Sequence, residues 1–177
     1  GNGGADGFVI TDFGFNDIAK AVEIQSDGKI VVCGTLNTND SGIARYNNNG
    51  TLDTTFDGDG KQTINNVACN ELAIQIDGKI VGVGHSVNID PVVFRLNQNG
   101  TFDTTFGTNG FASVTGLGTG NEFRDVDLQR DGKIIAVGKT NNGTQATIAR
   151  FNQNGLIDTT FSVNGFITFG PPSSIVS

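Results

Sequence analysis

The chain has 177 residues, of which 26 are Gly and 36% are hydrophobic, including 13 Phe. That apolar content suffices for one folded domain, and the abundance of Gly, Asn and Thr favours turns and strands, which excludes a helical bundle. A net charge of −7 without a basic run in the sequence argues against nucleic acid or an anionic membrane as partner, and no apolar run approaches the roughly 18 residues of a membrane span.

Taken in chain order, Met is absent even at position 1, so the expectation is a processed or excised chain. Phe8, Val9, Ile10 and Thr11, after Gly7, read as a strand without a body of its own, an orphan over residues 1–14 expected to seek an open sheet edge. From residue 15 the chain repeats. Ile24-Gln25-Ser26-Asp27-Gly28-Lys29-Ile30-Val31 returns at Ile74–Val81 and at Leu128–Ile135, and Asn49-Gly50-Thr51-Leu52-Asp53-Thr54-Thr55-Phe56 returns at Asn99–Phe106 and Asn154–Phe161. Two markers in step divide one repeat domain into units 15–66, 67–116 and 117–170, with a tail 171–177.

Each unit reads as four short strands. The first alternates apolar and polar residues, as at Val22 and Ile24, Leu72 and Ile74, Val126 and Leu128. Asp27-Gly28, Asp77-Gly78 and Asp131-Gly132 then predict two-residue hairpins of type I′, with positive φ at both turn residues. The second strand, Lys29 to Gly34 in the first unit, is apolar on both faces and so central in its sheet. The third strand carries Arg45, Arg95 or Arg150, and the fourth follows Asp-Thr-Thr-Phe and a Gly. With the orphan, this makes thirteen strands. Cys33 replaces Val83 and Val137 of the later units, so it is either a small buried hydrophobe or the partner of Cys69 in a bridge.

Four antiparallel strands every 50 or so residues is the pattern of a β-propeller blade. The residues Thr11-Asp12-Phe13-Gly14, Ala21 to Val32, and Ala44-Arg45-Tyr46-Asn47 with Gly50, Leu52-Asp53 and Phe56 resemble the bacterial delta-60 repeat family, over roughly Gly7 to Phe169. The resemblance implies a propeller-like repeat domain of large secreted or surface proteins, and no activity. The expected fold is all-β: three four-stranded antiparallel propeller-type blades plus one extra N-terminal strand, as an open or partial propeller. A solenoid-like stack and a β-trefoil are the alternatives, the latter without the Trp of sugar-binding trefoils.

The loop after each third strand spaces Arg45, Asn47, Asn49, Gly50 and Asp53 like a calcium loop, but with Arg where the first acidic ligand should stand. The expectation is therefore a structural pair in each loop, Arg45 with Asp53, Arg95 with Asp103 and Arg150 with Asp158, in place of an ion. Asp57 and Asp59 are weak candidates for a surface cation, and no cofactor is implied. His85, the single histidine, reads as a solvated loop residue, and no nucleophile with its base is legible. These readings describe a non-catalytic repeat module, a scaffold, adhesion element or assembly subunit outside the cell, whose partners are copies of itself or further repeats. The alternative is a module that binds carbohydrate or protein through its variable loops.

Overall fold

A computed structural model describes residues 7–14, 16–37, 39–88, 90–117, 120–140 and 142–170, and among these no helix forms. The first unit folds as β1 (Asp17–Ile24), β2 (Ile30–Leu36), β3 (Asp40–Tyr46) and β4 (Lys61–Ile64). The second gives β5 (Val67–Ile74), β6 (Ile80–Ser86), β7 (Pro91–Leu96) and β8 (Phe111–Ser113), and the third β9 (Glu122–Leu128), β10 (Ile134–Thr140), β11 (Gln145–Phe151) and β12 (Phe166–Phe169). Each set of four is an antiparallel meander whose ladders stay inside its own sheet. That excludes both a trefoil barrel and a solenoid whose sheets run through successive repeats. The first strands β1, β5 and β9 pack on one another, so they form the inner edge of three blades stacked face to face.

Two details of the sequence reading are corrected. In the hairpins Gly28, Gly78 and Gly132 have φ of 83°, 81° and 78°, but Asp27, Asp77 and Asp131 do not have positive φ. Gly28 N–H bonds Gln25 O at 2.9 Å and Gln25 N–H bonds Lys29 O at 2.8 Å. The loop is thus three residues, Ser26 to Gly28, closed by a left-handed glycine, one residue longer than a type I′ hairpin. The Asp side chain acts instead as a local brace, accepting from Lys29 N–H at 3.1 Å in the first blade.

The second correction concerns the orphan. Residues 7–14 form no ladder, so the described chain has twelve strands and not thirteen. A strand needs a neighbour to pair with, and here the segment lies on the free face of the first blade. Thr11 accepts from Tyr46 Oη at 2.6 Å, the Phe13 ring closes on Gly42, and Lys61 Nζ sits 5.3 Å from the centre of that ring. Phe8 and Ile10 remain 61% and 72% exposed. The assigned tail 171–177 lies outside the described residues.

Two cores fill the spaces between blades. One joins Val31, Cys33, Ile43 and Phe56 of the first blade to Leu72, Ile80, Phe94 and Leu96 of the second; the other joins Val81, Val83, Val93 and Phe106 to Phe123, Ile134, Ala136 and Phe151 of the third. Period-two alternation produces this directly in the middle blade, where β6 sends Ile80 into the first core and Val81 and Val83 into the second. A fully buried Phe at such a seam contributes roughly 1.5–3 kcal/mol. Cys33 and Cys69 are joined in a disulfide that crosses the first seam, with Cα atoms 6.3 Å apart. Closing a 36-residue separation stabilises by about 4 kcal/mol through the unfolded chain.

Candidate functional site

Two constellations emerge, a clasp between blades and a polar cleft at one end of the inner strands. The clasp is built where the two repeated markers meet. Asp53 is carried by the loop after β3, and its Oδ2 accepts from Arg45 Nε at 2.7 Å and lies 2.9 Å from Lys29 Nζ, while its Oδ1 accepts from the Thr55 hydroxyl at 2.7 Å. The second blade repeats this with Arg95, Lys79, Thr105 and Asp103, and the third with Arg150, Lys133, Thr160 and Asp158. Burial opposes ionisation of Asp53 and Asp103, but the threonine and lysine hydrogen bonds and the arginine charge outweigh it, holding both carboxyls well below the ordinary range. Asp158 is held low in the same way, chiefly by Thr160 and Lys133. Two side-chain cations take up the carboxylate that a calcium loop would offer to an ion. The part of Lys29, Lys79 and Lys133 was not read from the sequence, because the hairpin already accounted for the Asp-Gly-Lys run.

The same arginine reaches across the seam. Arg45 Nη1 donates to the carbonyl of Gln98 in the second blade, and Arg95 Nη1 donates to Gln153 O at 2.6 Å in the third. Asp57 N–H bonds Asn99 O at 2.7 Å and Gly107 N–H bonds Asn154 O at 2.7 Å. Phe56 and Phe106 stack under their arginines at 4.8 and 4.5 Å and are fully buried. A Cβ on Gly100 or Gly155 would come within 3.0 Å of those rings, so only glycine lets the neighbouring loop seat. Each clasp therefore has a donor half, the Arg and Phe, and an acceptor half, the loop ending in Gly on the next blade.

Asp57 and Asp59 do not form a comparable centre. Asp57 is pushed up by burial and by its neighbour Asp59, while Asp59 Oδ1 accepts from Lys61 N–H at 2.8 Å. Among the described residues no group of three His, Cys, Asp or Glu side chains comes together as a metal site requires.

The cleft arises from a fault repeated in every inner strand. The β1–β2, β5–β6 and β9–β10 registers each slip by one residue, leaving Lys20, Asn70 and Arg124 as the unmatched residues of β-bulges. Opposite each bulge stands Gly34, Gly84 or Gly138, where a Cβ would lie 2.1, 1.7 or 1.9 Å from the carbonyl oxygen of Ile18, Ala68 or Glu122. These glycines recur at one place in the second strand, a signal for the bulges that alternation alone conceals. The bulged side chains meet the ends of the second strands, at Thr35 and His85, around a cleft of about 530 Å³. Glu122 lies within it, 2.6 Å from Arg124 Nε, 3.5 Å from Lys139 Nζ and 3.6 Å from His85 Nδ1. Burial raises the Glu122 pKa, but the Arg124 hydrogen bond and the charges of Lys139, Arg124 and His85 leave it below its ordinary value. His85 is thus not a free loop residue: it stands in β6 next to its last residue, its side chain is 23% exposed, and its buried Nδ1 has no hydrogen-bond partner.

A family profile described as a domain of unknown function (DUF5122) β-propeller matches residues 25–56, 75–106 and 129–161, together more than half of the chain. Each match runs from just before the hairpin to the clasp phenylalanine in the first two blades and to Phe161 in the third. No curated protein matches the sequence. Among solved structures, one whose description names a gluconolactonase is similar at 13% identity and a TM-score of 0.43, covering 78% of this chain and 45% of that one. The chain thus spans less than half the length of that protein.

Proposed function

The chain belongs to the DUF5122 β-propeller family, and from that premise we propose that it is a non-catalytic repeat module of a secreted or cell-surface bacterial protein, a scaffold whose blades dock further blades of the same kind. The finer likeness to the delta-60 repeat is part of this proposal. The observation that carries it is the complementarity of the two ends. Arg150 and Phe161 form a donor half with no acceptor loop across from it among the described residues, and Asn48, Asn49 and Gly50 form an acceptor loop equivalent to Gln98–Gly100 and Gln153–Gly155. At the third blade Ile135, Val137 and Ile148 are only partly buried, whereas their counterparts Val81, Val83 and Val93 are at 0% exposure. The occupant that fits this face is the first blade of another such unit, in a longer array or in a second copy, with residues 7–14 moved off the face of that blade. Two copies joined end to end in both directions would make a ring of six blades.

What repeats is structural, which favours a scaffold over an enzyme, and the buried Cys33–Cys69 bridge favours an oxidising compartment. Light scattering of the purified chain over a concentration series tests the docking. Concentration-dependent association, weakened in Arg150→Ala, is the expected result. A monomer at every concentration, indifferent to the substitution, would overturn self-docking.

A further inference from the structure

We propose that the cleft at the bulged end of the inner strands is a binding site for a small ligand bearing an oxyanion, a carboxylate or a phosphate, on a hydroxylated body. This does not depend on the docking of blades. On a chain of net charge −7, folding brings Lys20 and Arg124 to one cleft with a single carboxylate, Glu122, and sets Lys139 3.5 Å from that carboxylate. The three cations come from different blades or different strands, so their gathering owes nothing to a local run of sequence.

The second step is the bulge itself. A bulge re-aims a side chain and leaves it outside the ladder, and here it is built three times at one register and enforced three times by a glycine. Yet the residue it presents differs in every blade, Lys20, Asn70 and Arg124, while the clasp residues repeat. A fixed frame with varied presented groups is the arrangement of a recognition site. A purely structural bulge gains nothing from exposing a cation, and Lys20 and Arg124 are both exposed.

The third step is that the polar groups of the cleft are not fully paired. His85 Nδ1 makes no hydrogen bond, with Glu122 Oε2 3.6 Å away, and the imidazole, 23% exposed, lines the cleft. Thr35 and the Asn70 amide border the same space, although Asn70 Nδ2 already donates to Phe123 O at 2.8 Å. Glu122 occupies part of the cationic field as an internal carboxylate, so an incoming anion competes with it for Arg124 and Lys139.

His85 is the one histidine of the chain, so its imidazole proton resonances report on the cleft without ambiguity. The full chain is titrated at neutral pH with inorganic phosphate, with D-glucuronate and, as the uncharged control, with D-glucose. Saturating shifts of the His85 resonances are expected for at least one anion and not for glucose, and the stronger of the two identifies the source of the oxyanion. Arg124→Gln and Lys20→Gln, both at exposed positions, should each weaken the anion about tenfold, whereas Glu122→Gln should tighten it several-fold by removing the competitor. Unchanged circular dichroism shows that the variants remain folded. Shifts that never saturate, that glucose reproduces, or that respond alike to Arg124→Gln and Glu122→Gln would overturn the proposal.

Discussion

Arg95 and Arg150 share two contacts inside their own blades. Each donates from Nε to its aspartate, at 2.8 and 2.7 Å, and each lies over its phenylalanine, at 4.5 and 4.8 Å. Their surroundings differ: Arg95 bonds Gln153 O of the next blade and its side chain is 7% exposed, whereas Arg150 meets no next blade among the described residues and is 19% exposed. Phe106 is fully buried and Phe161 only partly. The intrablade pair thus forms without a neighbour, and the neighbour adds the burial. The clasp is an interface device carried ready-made on each blade.

The largest effect expected from breaking this comparison is at the phenylalanine. Phe106→Ala should cost about 3–5 kcal/mol in equilibrium unfolding, the range for a large buried aromatic, and Phe161→Ala less than about 1 kcal/mol. Next comes the aspartate. Because the carboxyl of Asp103 is held below its ordinary value, its stabilisation is fully present above the unfolded pKa of about 3.9 and is lost as pH falls through the folded value. Asp103→Asn should therefore cost at least about 2 kcal/mol at pH 7, and in urea unfolding the gap between variant and parent should narrow steadily as the pH falls below about 3.9.

How much of this was legible in sequence depends on how local the cause is. The blades were legible, because Val22 and Ile24 or Leu72 and Ile74 alternate along a single strand and the Asp-Gly and Asp-Thr-Thr-Phe markers recur in step. The eight-residue separation of Arg45 and Asp53 could be read as well, as Arg45 stands near the end of β3 and Asp53 on the loop that follows it. The disulfide could not be, since Cys33 and Cys69 meet only when two blades are stacked. Likewise the cations of the cleft lie far apart in the chain, so a sequence without a basic run still folds to a basic cluster. The orphan strand was overread, because apolar alternation at Phe8 to Thr11 specifies a side-chain pattern but supplies no partner. The hairpin type was misjudged for a simpler reason: Asp-Gly marks two loop lengths, and only the bonds of Gln25 distinguish them.

A smaller effect, and one that should not depend on position in the stack, sharpens the contrast. Gly28, Gly78 and Gly132 hold positive φ within their own hairpins, so valine at any of the three should destabilise by more than about 1 kcal/mol, in the inner and end blades alike. Thermal unfolding of the three variants checks this, and a loss confined to Gly78→Val would show that the turn, too, depends on neighbours. The smallest effect is that of calcium. With Lys79 and Arg95 already on Asp103, adding calcium or a chelator should leave the melting midpoint unchanged.

The claim that the clasp draws its energy from the adjoining blade is tested most directly by urea unfolding of Arg95→Ala beside Arg150→Ala in the same chain, at dilutions where light scattering shows a monomer. The account predicts a loss of about 3 kcal/mol for Arg95→Ala, as expected when one partner of a buried ion pair is removed, and a clearly smaller loss for Arg150→Ala. Equal losses at the two positions would contradict it, and would make the arginine a fixture of its own loop.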